Sequence, residues 1–293
     1  MNAEVCYFSG TGNSLAVARK LAEKLNGTLH AIPILMDQER ITPQADALGL
    51  VFPVYNKGLP LILNRFVDKL AGLEATYLFA VCTYGDTIGM AIPHLAKLIA
   101  ARGGRLAAGF GVRMPYNYLT PTLKLNGFFS AFTLREVPLE KQRALLDAAL
   151  TRIEPIVAYI RAGQSGDFEI TADFLTRLAD RLNLNETLGK STWLKIAGVT
   201  EPTELSFLES RQLMDRAFHA DEHCIGCGTC ARICPVDNIR IVEGKPQWQE
   251  RCEQCFACLQ WCPQQAIQFG SHTAGKRRYH HPDVKLADMV RAK

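Results

Sequence analysis

Apolar residues gather in short, nearly unbroken runs over 3–9, 47–53, 77–83 and 106–112, and the stretches between them carry apolar positions three and four residues apart. A run of this length bounded by turn residues reads as a strand buried on both faces, and the three-four spacing reads as a helix with one apolar side. The pattern predicts helices over Leu15–Leu25, Leu61–Leu70 and Ile92–Arg102, a closing helix over Leu139–Ala162, and a weaker strand over Thr28–Ile32. Strand and helix alternating in this way predict an α/β domain with a doubly wound, five-stranded parallel sheet covered by helices on both faces.

The alternation stops near residue 165. Residues 165–215 hold only short amphipathic pieces, Phe174–Leu182 and Glu204–Met214, and read as a partly helical connector. From about His219 the chain turns to cysteine, proline and glycine, and it ends in a basic, histidine-containing tail, Gly275–Pro282. The expected division is a first domain over 1–164, the connector over 165–215, a small cysteine-rich domain over 216–271 and a tail over 272–293. A chain of 293 residues suits one ordinary and one small domain.

No run approaches the roughly 20 apolar residues that a membrane helix needs, and the opening residues MNAEVCYFSGTGNS lack a basic leader region, so the expectation is a cytoplasmic protein without membrane insertion. The formal charge of +4 is a small difference between 33 basic and 29 acidic residues, with no long block of one sign, and does not suggest nucleic acid.

Eight of the ten cysteines lie between residues 224 and 262, while Cys6 and Cys82 stand alone inside apolar runs and read as small buried hydrophobes. A disulfide scaffold spreads its thiols, whereas closely spaced Cys-x-x-Cys steps point to metal. CIGCGTCARICPVDNI from Cys224 and CEQCFACLQWCPQQAI from Cys252 match in register at a displacement of 28 residues, an internal duplication. Each carries the cysteine run of the bacterial two-cluster ferredoxins, in which the fourth cysteine ligates the other cluster. The pattern assigns Cys224, Cys227, Cys230 and Cys262 to one 4Fe-4S cluster, and Cys252, Cys255, Cys258 and Cys234 to a second. Three thiolates at such intervals wrap one cube only where the backbone curls tightly, and Gly226 and Gly228 help that turn. Ile225, Ile233, Ile239, Phe256, Trp261 and Ile267 are the expected apolar shell, with Trp248 beside them. So small a shell leaves folding dependent on the clusters. Zinc is the competing reading, but zinc sites use two cysteine pairs rather than three consecutive steps followed by Cys-Pro.

The loop Ser9-Gly10-Thr11-Gly12-Asn13-Ser14 joins the first strand to the first helix, where free amides and the helix dipole favour an anion. It lacks the lysine of a Walker loop and the third glycine of a dinucleotide fingerprint. Its hydroxyls and amides suit a terminal monophosphate, so FMN fits better than a dinucleotide.

Six segments carry a family resemblance: YFSGTGNS at the start, PVYNKGLP at 53–60, CTYGD at 82–86, MPYNY at 114–118, the cysteine array, and YHHP at 279–282. On these the chain resembles the flavodoxins and, more closely, the EFR1-type ferredoxin family, bacterial proteins in which a flavodoxin-like domain precedes a two-cluster ferredoxin domain. The resemblance covers nearly the whole chain. It implies the strand order 2-1-3-4-5, an FMN phosphate held by residues 9–14, and an isoalloxazine flanked by the loops after the third and fourth strands. Tyr55 and Tyr84 are then the stacking candidates, with Asn56, Gly58, Thr83, Gly85 and Asp86 as backbone or polar contacts. The first loop departs from the TxTGxT common in flavodoxins. The implied role is electron transfer among two 4Fe-4S clusters, FMN and redox partner proteins. A flavin-dependent iron-sulfur reductase acting on a small molecule stands beside it, as does a redox-regulated binding module with an empty first domain. No Ser-His-Asp set or acid pair names a substrate chemistry. His280 and His281, beside Lys276, Arg277 and Arg278, read as solvated or docking surface.

Overall fold

The structure, a computed structural model, describes residues 2–116, 137–172, 177–178, 181–182, 190–196, 198–199, 204–271 and 273–290. They fall into two compact units, the first within 1–115, 142–182 and 281–285, the second within 116–141, 183–280 and 286–293.

The first unit is a five-stranded parallel sheet of β1 (Ala3–Tyr7), β2 (Thr28–Ala31), β3 (Ala47–Pro53), β4 (Tyr77–Tyr84) and β5 (Leu106–Arg113), in the order β2-β1-β3-β4-β5. That is the flavodoxin-like arrangement, with its switch of direction between β1 and β3. Six of the seven β3 residues are buried, as both-face coverage requires. Helix α1 (Asn13–Lys24) turns Leu15, Val17, Ala18, Leu21 and Ala22 onto the sheet. With α5 (Leu139–Arg161), which adds Ile153, Ile156, Val157 and Ile160, it encloses a core with Val5, Val51, Val81 and Phe110. Helices α2 (Ile32–Leu35), α3 (Leu61–Lys69) and α4 (Ala91–Ala101) contribute further buried residues, including Ile32, Phe66 and Leu95.

β5 is an edge strand, and its exposed backbone groups find a partner inside the expected connector. The Gly109 N–H donates to the Asp167 carbonyl at 2.9 Å, the Glu169 N–H to the Gly109 carbonyl at 2.9 Å, and the Glu169 carboxylate accepts from the Gly111 N–H at 2.8 Å. This short bridge covers an edge that is otherwise open to other chains. Within the expected connector, residues up to 182 group with the first unit and those from 183 with the second. Most of the expected piece Phe174–Leu182 lies outside the described residues, while Glu204–Met214 forms a short helix, Phe207–Ser210, followed by a 3-10 helix, Arg211–Ala217. Ser206 starts the short helix with a capping box, its Oγ accepting from the Glu209 N–H while its own N–H donates to the Glu209 carboxylate.

The second unit has two small antiparallel sheets, β6 (Phe218–Ala220) with β9 (Ile267–Phe269), and the hairpin β7 (Ile239–Val242) with β8 (Lys245–Trp248). Phe218, Trp248, Phe256 and Phe269 pack as an aromatic group, and Ile233, Ile239, Leu259 and Ile267 are buried around the cysteines. Ile225 departs from the expected shell. It is 67% exposed, because the tight loop between Cys224 and Cys227 turns its side chain outward.

Candidate metal centre and phosphate loop

The 28-residue duplication is written in the backbone as well as in the sequence. Gly226, Gly228 and Asp237 take positive φ (68°, 69° and 50°), and so do Gln254, Phe256 and Gln265, their counterparts in the second repeat (53°, 56° and 50°). A Cβ on Gly226 would lie 2.9 Å from the Gly244 carbonyl oxygen, so close approach as well as φ demands glycine there. In the second repeat, residues with side chains accept the same strained conformation, which persists only where the surroundings over-determine it.

These curled loops bring the eight thiols together. Cys230 feels the charge of Cys262, Cys227 and Cys224, and these four line one cavity with Gly226, Gly228 and Ile267. Cys255 feels Cys234, and Cys258 feels Cys255 and Cys234 first and Cys230 of the neighbouring nest after them. Each nest thus takes its fourth thiol from the other repeat.

Donors aim at the sulfurs. The Asn238 N–H reaches Cys234 Sγ at 3.2 Å, the Gln254 N–H reaches Cys252 Sγ at 3.2 Å, and the Thr229 hydroxyl lies 3.3 Å from Cys227 Sγ. Such bonds set the potential of a cluster bound to those sulfurs. The two repeats differ in exposure. Cys227 is exposed, and the Thr229 hydroxyl and amide, with Arg232 nearby, hold its thiol below the usual range. Burial pushes Cys230 up to about 11 and Cys255 up to about 12, and it drives Cys252 and Cys258 well above the usual value. Without metal these thiols keep their protons at neutral pH, so cluster uptake releases them.

In the first unit, α1 begins at Gly12 in the left-handed region (φ 92°) with no side-chain cap, the kind of helix start whose dipole favours an anion. Ser9 Oγ accepts from the Gly12 N–H at 3.0 Å, and Ser14 Oγ meets Thr83 Oγ1 at 2.8 Å in a buried contact that joins two predicted site residues 69 positions apart. Asn13 Nδ2 donates to the Pro115 carbonyl at 2.8 Å, tying MPYNY to the loop, although Asn117 and Tyr118 lie outside the described residues. Gly10 is buried and Thr11 half-buried. The loops after β3 and β4 are also together, since the Val54 N–H donates to the Thr83 carbonyl at 2.9 Å and the Met90 N–H to the Lys57 carbonyl at 2.9 Å. Tyr55 and Gly58 close a tight turn over Asn56 and Lys57, both at positive φ, and the Tyr55 ring meets Phe8 edge-on at 6.3 Å. The Tyr84 ring lies against Gly111, the Gly85 carbonyl accepts from Arg113 Nε at 3.0 Å, and Asp86 is exposed.

One feature of this loop was not visible in the sequence. The His281 N–H donates to the Thr11 carbonyl at 2.8 Å, and a Cβ added to Gly12 would meet Val284 at 3.0 Å and His281 at 3.2 Å. His281 and Val284 are 6% and 3% exposed, so this part of the tail is packed rather than solvated. His280 is exposed and stacks on Trp261 at 4.2 Å, and Tyr279 is buried, with its N–H donating to Gln260 Oε1 at 2.8 Å.

Residues 216–263 match the 4Fe-4S dicluster domain family. The chain is similar to a component of the ion-translocating oxidoreductase complex of Methanosarcina acetivorans, 46% identical over 46 residues (15% of this chain, 17% of that protein), and to the corresponding component from Shewanella sediminis, 31% identical over 104 residues (34% and 54%). It is also similar to FMN-dependent NADH:quinone oxidoreductase 1 of Bacillus licheniformis, 29% identical over 113 residues (38% and 51%). The matches span about half or less of the length of these curated relatives. Among solved structures, a flavodoxin from the domain Archaea aligns over 54% of this chain and 99% of its own at 13% identity, TM-score 0.31. The flavodoxin of Megasphaera elsdenii aligns over 38% and 85% at 18% identity, TM-score 0.30. The flavodoxin-like assignment therefore rests on the strand order.

Proposed function

We propose that the chain is an electron-transfer protein that holds two 4Fe-4S clusters in its second unit and one FMN in its first, and exchanges electrons with partner proteins. The observation that carries this reading is the pair of four-thiol nests, each with its fourth member from the other repeat. Cys224, Cys227, Cys230 and Cys262 hold one cluster, and Cys252, Cys255, Cys258 and Cys234 the other. The match of 216–263 to the dicluster family supports it. The exposed Cys227 brings one edge of its cluster to the surface, where a partner can exchange electrons. The amide donors and free thiols suit a reducing compartment.

The FMN half rests on the uncapped start of α1, the hydroxyls of Ser9, Thr11 and Ser14, and the convergence of the loops bearing Tyr55 and Thr83 at the switch point of the sheet. A flavin accepts one or two electrons and a cluster one, so together they let pair and single-electron donors communicate. No helix among the described residues is long and apolar enough to cross a membrane. The domain plan is that of the EFR1-type ferredoxins. An anaerobic absorption spectrum of untreated protein, with an EPR spectrum after dithionite reduction, tests both halves at once. Broad brown absorption with coupled cluster signals and about one flavin per about eight irons is expected; colourless protein with stoichiometric zinc refutes the reading. A flavin-dependent reductase is the second reading, favoured by the likeness to an FMN-dependent NADH:quinone oxidoreductase, and anaerobic turnover of an added small-molecule acceptor selects it.

A further inference from the structure

Near-identical cysteine runs related by duplication would give two clusters of similar potential unless their surroundings differ. They differ most at Arg278. Its Nη2 donates to the carbonyls of Gln265 at 3.2 Å and Ile267 at 3.0 Å and to Gln268 Oε1 at 3.0 Å, while Nη1 reaches the Thr273 carbonyl at 3.3 Å. These partners are neutral, so they hold the guanidinium in place without cancelling its charge. Its Nε is buried and finds no hydrogen-bond partner among the described residues. The charges acting on it are Cys262 first, then Asp221 and Cys258. Asp221 is shared, since it also accepts from Gln268 Nε2 at 2.7 Å and from His223. Arg232 adds a second cation beside Cys227, in the same nest.

The other nest is surrounded differently. The duplication places Glu250 where the second repeat has Arg278, a reversal of charge. Glu250 pairs with Arg216, but its N–H donates at 2.8 Å to Asp215, a carboxylate only 1% exposed that acts on Cys252. Glu253 and Asp237 act on Cys234, and Glu253 on Cys255. Cations are present there as well: Arg211, bonded through Nε to Gln254 Oε1 at 3.1 Å, Arg216 paired with Glu250, and Arg251, whose Nη2 donates to the Asp237 carbonyl at 3.1 Å. The four carboxylates Asp215, Asp237, Glu250 and Glu253 nevertheless outnumber these three cations.

We infer that Arg278 is a positioning residue for electrons, its fixed charge raising the potential of the cluster held by Cys224, Cys227, Cys230 and Cys262 above that of its neighbour. Reduction adds one negative charge to a cluster, so a cation at its edge favours the reduced form and buried carboxylates oppose it. The first electron to enter therefore rests on the cluster beside the exposed Cys227, and the other cluster is the stronger reductant. The inference depends on the cluster reading proposed above.

The test is an anaerobic redox titration of the full-length holoprotein. EPR gives the two midpoints, and residue-assigned hyperfine-shifted cysteine protons show which cluster holds the electron. In native protein at one electron per molecule, the shifts typical of reduction are expected on Cys224, Cys227, Cys230 and Cys262. Arg278→Gln is expected to move the occupancy ratio about tenfold toward the other cluster, which corresponds to about 59 mV for a one-electron couple. Arg278→Lys, which keeps the charge, is expected to retain most of the native ordering and serves as the deciding variant if the glutamine form fails to hold iron. Unchanged midpoints in Arg278→Gln, an equal shift of both clusters, or native electrons resting on the other cluster overturn the inference. Native protein without about eight irons and cysteine hyperfine shifts instead removes the cluster reading itself.

Discussion

Cys6 and Cys82 are buried within the sheet, and burial pushes each thiol up to about 12. Each therefore holds its proton more tightly folded than unfolded. The stability this represents is complete below the ordinary value of about 9 and is lost as pH rises from there toward about 12, by up to about 1.4 kcal/mol per pH unit for each thiol. Stability from denaturant titrations of the protein is expected to stay level in this respect up to about pH 9 and to fall from there to pH 11, and Cys82→Ala to reduce the fall; an unchanged fall in the variant assigns the alkaline loss to other groups. Gly12 is the other residue whose role the structure redefines. Its φ of 92° excludes a side chain at a cost of about 1–2 kcal/mol, and its open side faces Val284 and His281. Gly12→Ala is expected to lower the melting point of the first unit and to loosen the tail, while equal stability would show that the loop relaxes freely.

Among the elements, strands and helices of the first unit were legible because buried parallel strands write themselves as unbroken apolar runs, as in Ala47–Pro53. The cysteine loops were legible for a different reason, the rigid spacing that cluster ligands need. Three features were not. The Gly109 bridge to residues 167–169 consists of backbone bonds and a carboxylate in a stretch without strand periodicity. The positive φ of Gln254 and Phe256 carries no glycine to announce it, and only the register with Gly226 and Gly228 gives a signal. The tail segment looks polar and basic, and its burial depends on a contact with residues near the opposite end of the chain. Since the His281 N–H fixes the Thr11 carbonyl, removing residues 281–293 is expected to speed amide exchange in residues 10–15 and to weaken FMN binding while iron content stays constant. Unaltered exchange and affinity would separate the tail from the phosphate loop.

For the whole molecule, the two units differ in what holds them together. The first has a full sheet with apolar layers, whereas the second has two small sheets, one aromatic group and eight clustered thiols. A chelator under reducing, anaerobic conditions is expected to unfold the second unit and leave only the thermal transition of the first; a thermal profile unchanged by the chelator contradicts this dependence. The crossed ligands make a sharper expectation. Cys262→Ser is expected to halve the iron and to perturb the cluster of Cys224, Cys227 and Cys230, although it lies in the other repeat. The central claim is tested most directly by Mössbauer spectroscopy of protein isolated without oxygen. Two cubane clusters, with about eight irons and eight sulfides per chain, are the predicted result. Iron absent, or present only as mononuclear sites, would contradict it.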